Sequence, residues 1–307
     1  MRRLLTPLAL LLIAGSAAGQ EAATPMESLD LDRKDTKNMR GATTVIVPTL
    51  YINYSVEGSL FVAAQGRGSA QAKAEFVVSN FDREFAQQVT ANVQADLVRR
   101  LRDAGFTVLT HEDVADHAEV AGHKMLRPHR DFGMPSKEFM NVKYIIATPS
   151  EATSFDPAMT GYPVWGFRRL ARERDAHILV PEYWFSAPQM WGETGRGTNS
   201  VRAGVNVAPG ITMSNGRVAF MNPRASGGTL ILKKWVATGD NVGQLVQTEE
   251  NRSSLPGFSG FGAGSIGRSK GSYVLELDRA AFEAAVLRGA GAFNEQIVAA
   301  YVAERGR

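Results

Sequence analysis

Between residues 80 and 110, apolar side chains recur at four-residue steps: Phe81, Phe85, Val89, Val93, Leu97 and Leu101, with Ala86, Val98 and Ala104 widening the stripe. That spacing predicts one long amphipathic helix with a single face turned to a core. Asp82, Arg83, Gln87, Gln88, Asn92, Arg99, Arg100 and Arg102 fill the other side. Asn80 or Ser79 is the expected N-cap, with Asp82 and Glu84 in a first turn where the helix dipole favours them. The three arginines suit the carboxyl end, and Gly105 supplies a left-handed stop. Phe106, Val108 and Leu109 then read as a short buried strand. A second stripe, Phe282, Val286, Phe293, Ile297 and Tyr301, predicts a closing helix over 279–304 behind an Asp278 cap. Gly289 and Gly291 allow it close packing or a kink.

Elsewhere the pattern has a period of two. Residues 43–50 (TTVIVPTL) read as a strand that Pro48 either confines to an edge or ends. Residues 56–78 read as a hairpin turning at Gly66-Arg67-Gly68-Ser69. Ala70, Ala72, Ala74, Phe76 and Val78 form its small apolar side, and Gln71, Lys73, Glu75 and Val77 its wet side. Residues 142–148 form a near-continuous apolar strand, expected to be central. A loop (149–166) and a short basic helix, FRRLARER (167–174), follow. Residues 177–191 read as one aromatic-rich strand. Val201, Ala203, Val205 and Val207 alternate with Arg202, Gly204 and Asn206 before a turn at Pro209-Gly210. Ile211 and Met213 lead into Ser214-Asn215-Gly216-Arg217, a hairpin signal, with Val218 and Phe220 returning. Residues 229–237 and 242–248 read as a further pair, and 273–277 as the last strand. The expected fold class is α+β: a mixed, largely antiparallel sheet covered by two long helices, with β-hairpin extensions.

The amino terminus changes the picture. Arg2 and Arg3 precede an apolar run over 4–14, and Ala17-Ala18-Gly19 offers a small-residue cleavage site before Gln20. This predicts a signal peptide (1–19), a flexible polar leader (20–42) and a single α+β domain (43–307). The mature chain is expected in the periplasm or secreted, with outer-membrane association as an open alternative. Of 34 basic residues, losing Arg2 and Arg3 leaves 32 against 31 acidic ones, a net of about +1. That balance gives no basic footprint for nucleic acid. An apolar fraction of 44% supplies a core, and the absence of cysteine leaves that core without staples.

Candidate chemistry is sparse. His111, His117, His123 and His129 lie six residues apart among acidic neighbours. Six residues turn a helix by about 240°, so the rings do not share a face as an i, i+4 zinc pair does. A partly exposed helix over 112–121 is preferred, and a metal-dependent hydrolase using 111–129, with His117 and His123 foremost, remains the enzymatic alternative. Asp30, Asp32 and Asp35 lack the glycine and closing glutamate of a calcium loop. Gly262, Gly264 and Gly267 spell G-x-G-x-x-G, but a strand follows them where a dinucleotide site needs a helix. Ser259 misses the nucleophile elbow because Phe261 stands where glycine belongs. No catalytic residue, metal ligand or cofactor is therefore assigned.

Leu101, Gly105, Phe106, Val108 and Leu109, at the end of the long helix, together with the strand from Ala176 to Val180, resemble the superfamily of the curli-secretion channel lipoprotein and the TolB amino-terminal domain. The resemblance implies a helix crossing one face of a mixed sheet, and a role in envelope assembly or secretion. The chain departs from the channel lipoproteins in having no cysteine to acylate. The expected function is non-enzymatic support of assembly, secretion or surface structure through contacts with envelope or secreted proteins, self-association included. Strand edges and the Tyr183-Trp184-Phe185 cluster are the expected contact surface. An outer-membrane channel or ring subunit is the second alternative, and a binding module for a small ligand the third.

Overall fold

The structure, a computed structural model, describes residues 29–65, 69–130, 133–157, 163–196, 201–255 and 266–305. The expected signal peptide, the turn at 66–68 and most of the glycine-rich stretch lie outside these residues. The strands in chain order are β1 (Leu31–Lys34), β2 (Thr44–Val47), β3 (Tyr51–Gln65), β4 (Ser69–Ser79), β5 (Thr107–Thr110), β6 (Ser136–Phe139) and β7 (Val142–Ala147). They continue as β8 (His177–Ser186), β9 (Gln189–Arg196), β10 (Val201–Ala208), β11 (Gly210–Met221), β12 (Gly227–Leu232), β13 (Val236–Asn241), β14 (Gly243–Leu255) and β15 (Ile266–Leu277). The helices are α1 (Arg83–Asp103), α2 (Ala118–Ala121), α3 (Arg168–Glu173) and α4 (Arg279–Arg305).

The stripe on α1 buries Phe85, Val89, Val93, Leu97 and Leu101, as its spacing requires. Its cap is Asp82, which accepts from the Phe85 N–H at 2.9 Å. Asn80, the expected cap, instead turns left-handed (φ 61°) and donates from Nδ2 to the Leu277 carbonyl. Gly105, at φ +83°, ends the helix, and the Phe106 N–H returns to the Leu101 carbonyl. Asp278 caps α4 by accepting from the N–H groups of Ala280 and Ala281.

The fold is mixed α/β. Thirteen strands form one sheet in the order β1-β12-β11-β8-β3-β4-β15-β14, with β13 also on β11, β2 on β8 and β5, and β7 between β3 and β6. Strands β4 and β15 pair in parallel, and each runs directly into a long helix. That shared direction lays α1 and α4 side by side and parallel. Arg279 joins Asp82 at their amino ends, and Arg305 reaches the Ala104 carbonyl at their carboxyl ends.

The long helices cover one face of the sheet, not both. Ile52, Tyr54, Leu179, Tyr183, Phe185, Val218 and Phe220 point to them and form the larger core. On the other face, α2, α3 and their flanking turns cover only one end, packing Phe155, Phe167 and Leu170 on Tyr51, Ile178 and Val180. At one end of this sheet, the far half of β3 with β4, β15 and β14 continues as a ribbon. The separate β9–β10 hairpin lies over its small-residue side, with Gly192 against Val62.

Several strands differ from the sequence expectation. Residues 29–42, expected in a flexible leader, belong to the fold: β1 pairs with β12, and Met39 and Ala42 are buried. Pro48 ends β2, but β2 is no edge, since β5 and β8 flank it. The single strand expected over 177–191 is two, β8 and β9, which part at Ala187-Pro188. Asn215-Gly216 makes no hairpin; β11 runs through it with a bulge at Ser214. The extra residue switches the alternation, so that Ile211 and Met213 before it and Val218 and Phe220 after it all reach the helix-side core. Residues 229–237 and 242–248 do not pair, because β12 and β13 both join β11 while β14 joins β15.

His177 begins β8 buried, with Nδ1 unpartnered among the described residues and its ring 5.9 Å from that of Tyr301. Burial holds its pKa down at about 4 against an ordinary 6.5. The unfolded chain therefore binds the extra proton first. Stability is full above about pH 6.5, declines below it, and has lost about 3 kcal/mol once pH passes below the folded value. Urea midpoints at pH 7.5 and 4.5 check this, and His177→Leu flattens the difference.

Candidate functional site: an apolar groove and a free strand edge

Alternation along β8 separates the three aromatic residues expected to share a contact surface. Tyr183 and Phe185 are buried beneath α4, with the Tyr183 hydroxyl donating to Asn294 Oδ1 at 2.5 Å. Neither reaches solvent, so the cluster is not a surface. Trp184 alone points to the opposite face, where the sheet is uncovered.

There Trp184 stands in a groove of about 770 Å3. Tyr144 and Phe139 meet its ring edge-on, with centroids at 4.9 and 5.7 Å. The turn between β6 and β7 raises one wall through Phe139 and Met140. The turn between β12 and β13 raises another through Trp235. These three side chains are 51%, 77% and 53% exposed, high for residues of their size. The floor carries hydroxyls: Tyr144 and Ser186 lie 3.1 Å apart, and Thr212 Oγ1 is buried without a partner among the described residues.

Behind Trp184 sits a charged cluster. Glu182 accepts from Lys137 Nζ at 3.1 Å, Asn53 Nδ2 at 3.0 Å, Trp184 Nε1 at 3.0 Å and Arg217 at 2.5 Å. Burial pushes its carboxyl up, but Lys137 and Arg217 outweigh this and hold it below the usual range. Burial also pulls the Lys137 ammonium down, partly offset by Glu182. Lys137 Nζ lies 3.7 Å from the centre of the Trp184 ring, a cation–π contact. Two cations therefore share one carboxylate.

The second surface is an edge. β14 ends the sheet, paired with β15 on one side and with no strand on the other among the described residues. A bulge at Thr248 divides it, leaving backbone donors and acceptors open over 243–247 and 249–255.

The histidines disperse. His117 pairs with Glu173 at 3.0 Å, while His123 stacks on Phe167 and meets Phe155 edge-on. His111 packs on another side of Phe155. The helix expected over 112–121 is only a 3-10 turn and the four-residue α2. Among the described residues no three His, Asp or Glu side chains gather as metal ligands. The arginines of α3 are engaged locally, Arg169 with Glu173 at 2.5 Å and Arg168 over the Trp165 ring. Ser259, Gly262 and Gly264 lie outside the described residues, and Gly267 lies within β15.

Sequence reasoning missed Phe139, Met140, Trp235 and Glu182. The one local cue was Asn141, because asparagine tolerates the left-handed region. Met140 and Asn141 take positive φ of 50° and 60°, a two-residue hairpin turn that presents Phe139 and Met140 at its tip. Among the described residues no helix is long and apolar enough to cross a membrane. No protein-family model, curated protein or solved structure matches the chain.

Proposed function

We propose that the chain is an exported, non-enzymatic envelope protein that supports assembly, secretion or surface structure by binding partner proteins along a free strand edge. The observation that carries this reading is β14, a strand of 13 residues paired on one side only among the described residues. Such an edge accepts a strand from another chain, with main-chain hydrogen bonds supplying affinity. The signal-peptide pattern supports export. The outline resemblance to the curli-secretion channel lipoprotein and TolB amino-terminal domain superfamily points to the same compartment.

A photoreactive residue in place of Val246 on β14 tests this against one in place of Val302 on α4, the two being similarly exposed at 42% and 49%. Discrete adducts in the envelope fraction are expected from position 246 alone. Adducts from both positions or neither sink the edge reading, and a chain retained in the cytoplasm sinks export.

A ring or channel subunit is the second reading. It is favoured by the ribbon's other edge, the part of β3 beyond Ser59, which has no second strand among the described residues and lets copies pair head to tail. Against lipid contact, Lys73, Glu75 and Lys270 form ion pairs on one ribbon face while β9 and β10 cover the other. A large symmetric oligomer sedimenting with outer membranes supports this reading; a soluble monomer excludes it.

A further inference from the structure

We propose that the groove around Trp184 binds one uncharged small molecule, an apolar body carrying a single hydrogen-bonding group that meets the Thr212 hydroxyl. No residue of β14 lines the groove, and the inference does not depend on how that edge is used.

The walls set the body of the ligand. The volume, about 770 Å3, lies in the range of small-molecule sites. Phe139, Met140, Ile231 and Trp235 stand around it, and no charged side chain lines it among the described residues. A charged group entering there would lose water with no counter-charge in contact.

The floor sets the polar group. Ile211 and Met213 point to the helix-side core, so Thr212 between them faces the groove. It is 7% exposed, and its Oγ1 has no partner among the described residues. The neighbouring strands explain why. On β13 the residue opposite is Ala237, whose side chain has no polar atom. On β8 it is Ser186, whose hydroxyl is engaged by Tyr144 at 3.1 Å and by Ser214 at 3.3 Å. A buried hydroxyl left over in this way costs free energy until something bonds to it. One such atom matches one ligand group. A peptide laid along these walls would bring a donor and an acceptor at nearly every residue, and the floor would leave most of them unpaired.

The test uses three probes of similar shape on the purified chain. They are phenylnaphthylamine, benzylnaphthalene, which has CH2 in place of the N–H, and anilinonaphthalenesulfonate, which adds a negative charge. Probe fluorescence and tryptophan quenching follow binding. The amine is expected to bind one to one, about fivefold more tightly than benzylnaphthalene and about tenfold more tightly than the sulfonate. Thr212→Val keeps the shape and removes the hydroxyl, and is expected to abolish the advantage of the amine over benzylnaphthalene. Met140→Asp locates the site, and is expected to weaken both uncharged probes about tenfold. Met140 is 77% exposed with φ 50°, a conformation that aspartate tolerates, so the fold is insensitive to the change. Circular dichroism confirms that each variant is folded. The proposal is overturned if the amine does not bind, if the sulfonate binds as tightly, or if Met140→Asp leaves the amine in place. It is also overturned if Thr212→Val leaves the preference for the amine unchanged, because water then satisfies the hydroxyl. Displacement of the amine by a leucine- and phenylalanine-rich peptide blocked at both ends overturns it too, since the groove is then a protein interface. So does loss of amine binding as the chain is concentrated, since a second copy then fills the groove.

Discussion

Phe293→Ala is expected to lower the unfolding free energy by about 4 kcal/mol. Phe293 is fully buried on α4, and its ring meets that of Tyr183 at 5.7 Å and 90°. Beneath it lies Gly216, where an added Cβ would stand 3.4 Å from the ring, at van der Waals contact, but would collide with the Met213 side chain. The glycine thus leaves room for Met213 under the ring, and the bulge at Ser214 brings the glycine into place. Truncation leaves a cavity that the paired strands cannot collapse to fill. Guanidinium unfolding measures the loss; a change below about 1 kcal/mol means that α4 does not sit on β11 as described.

Glu182→Ala is expected to cost about 3 kcal/mol, because it removes the largely buried carboxylate that Lys137 and Arg217 share and leaves two like charges close together. Their residual exposure, 32% and 28% of each side chain, places the loss at the lower end for a broken buried pair. Replacing Lys137 and Arg217 by methionine in the same chain is expected to recover most of it, since the penalty belongs to uncompensated charge rather than to lost attraction. If the triple variant is no more stable than Glu182→Ala, the cluster is held by packing instead.

Both long helices were legible because their stripes are long and regular, and a four-step repeat survives any arrangement of neighbours. The small apolar side of β4 was legible for the same reason at period two, and Ala70, Ala72, Ala74 and Phe76 are buried as expected. β11 was not. Its bulge reverses the alternation in mid-strand, and Asn-Gly at that point imitates a turn. The pairing of β12, β13 and β14 was hidden because partners far apart in sequence decide it. The groove was hidden more deeply, since its walls come from two separate turns and its floor from the middle of the sheet. No local pattern marks Trp184 as facing outward while Tyr183 and Phe185 face inward; only the position of the helices decides that.

That β14 presents a working edge is the central claim, and backbone amide exchange tests it most directly. In the isolated mature chain, amides over 243–255 are expected to alternate between fast and protected, with the order reset at the Thr248 bulge, because β15 satisfies only one side. In the complex captured from position 246, the fast set is expected to become protected as well. Uniform protection in the isolated chain, or a fast set unchanged in the complex, contradicts the claim.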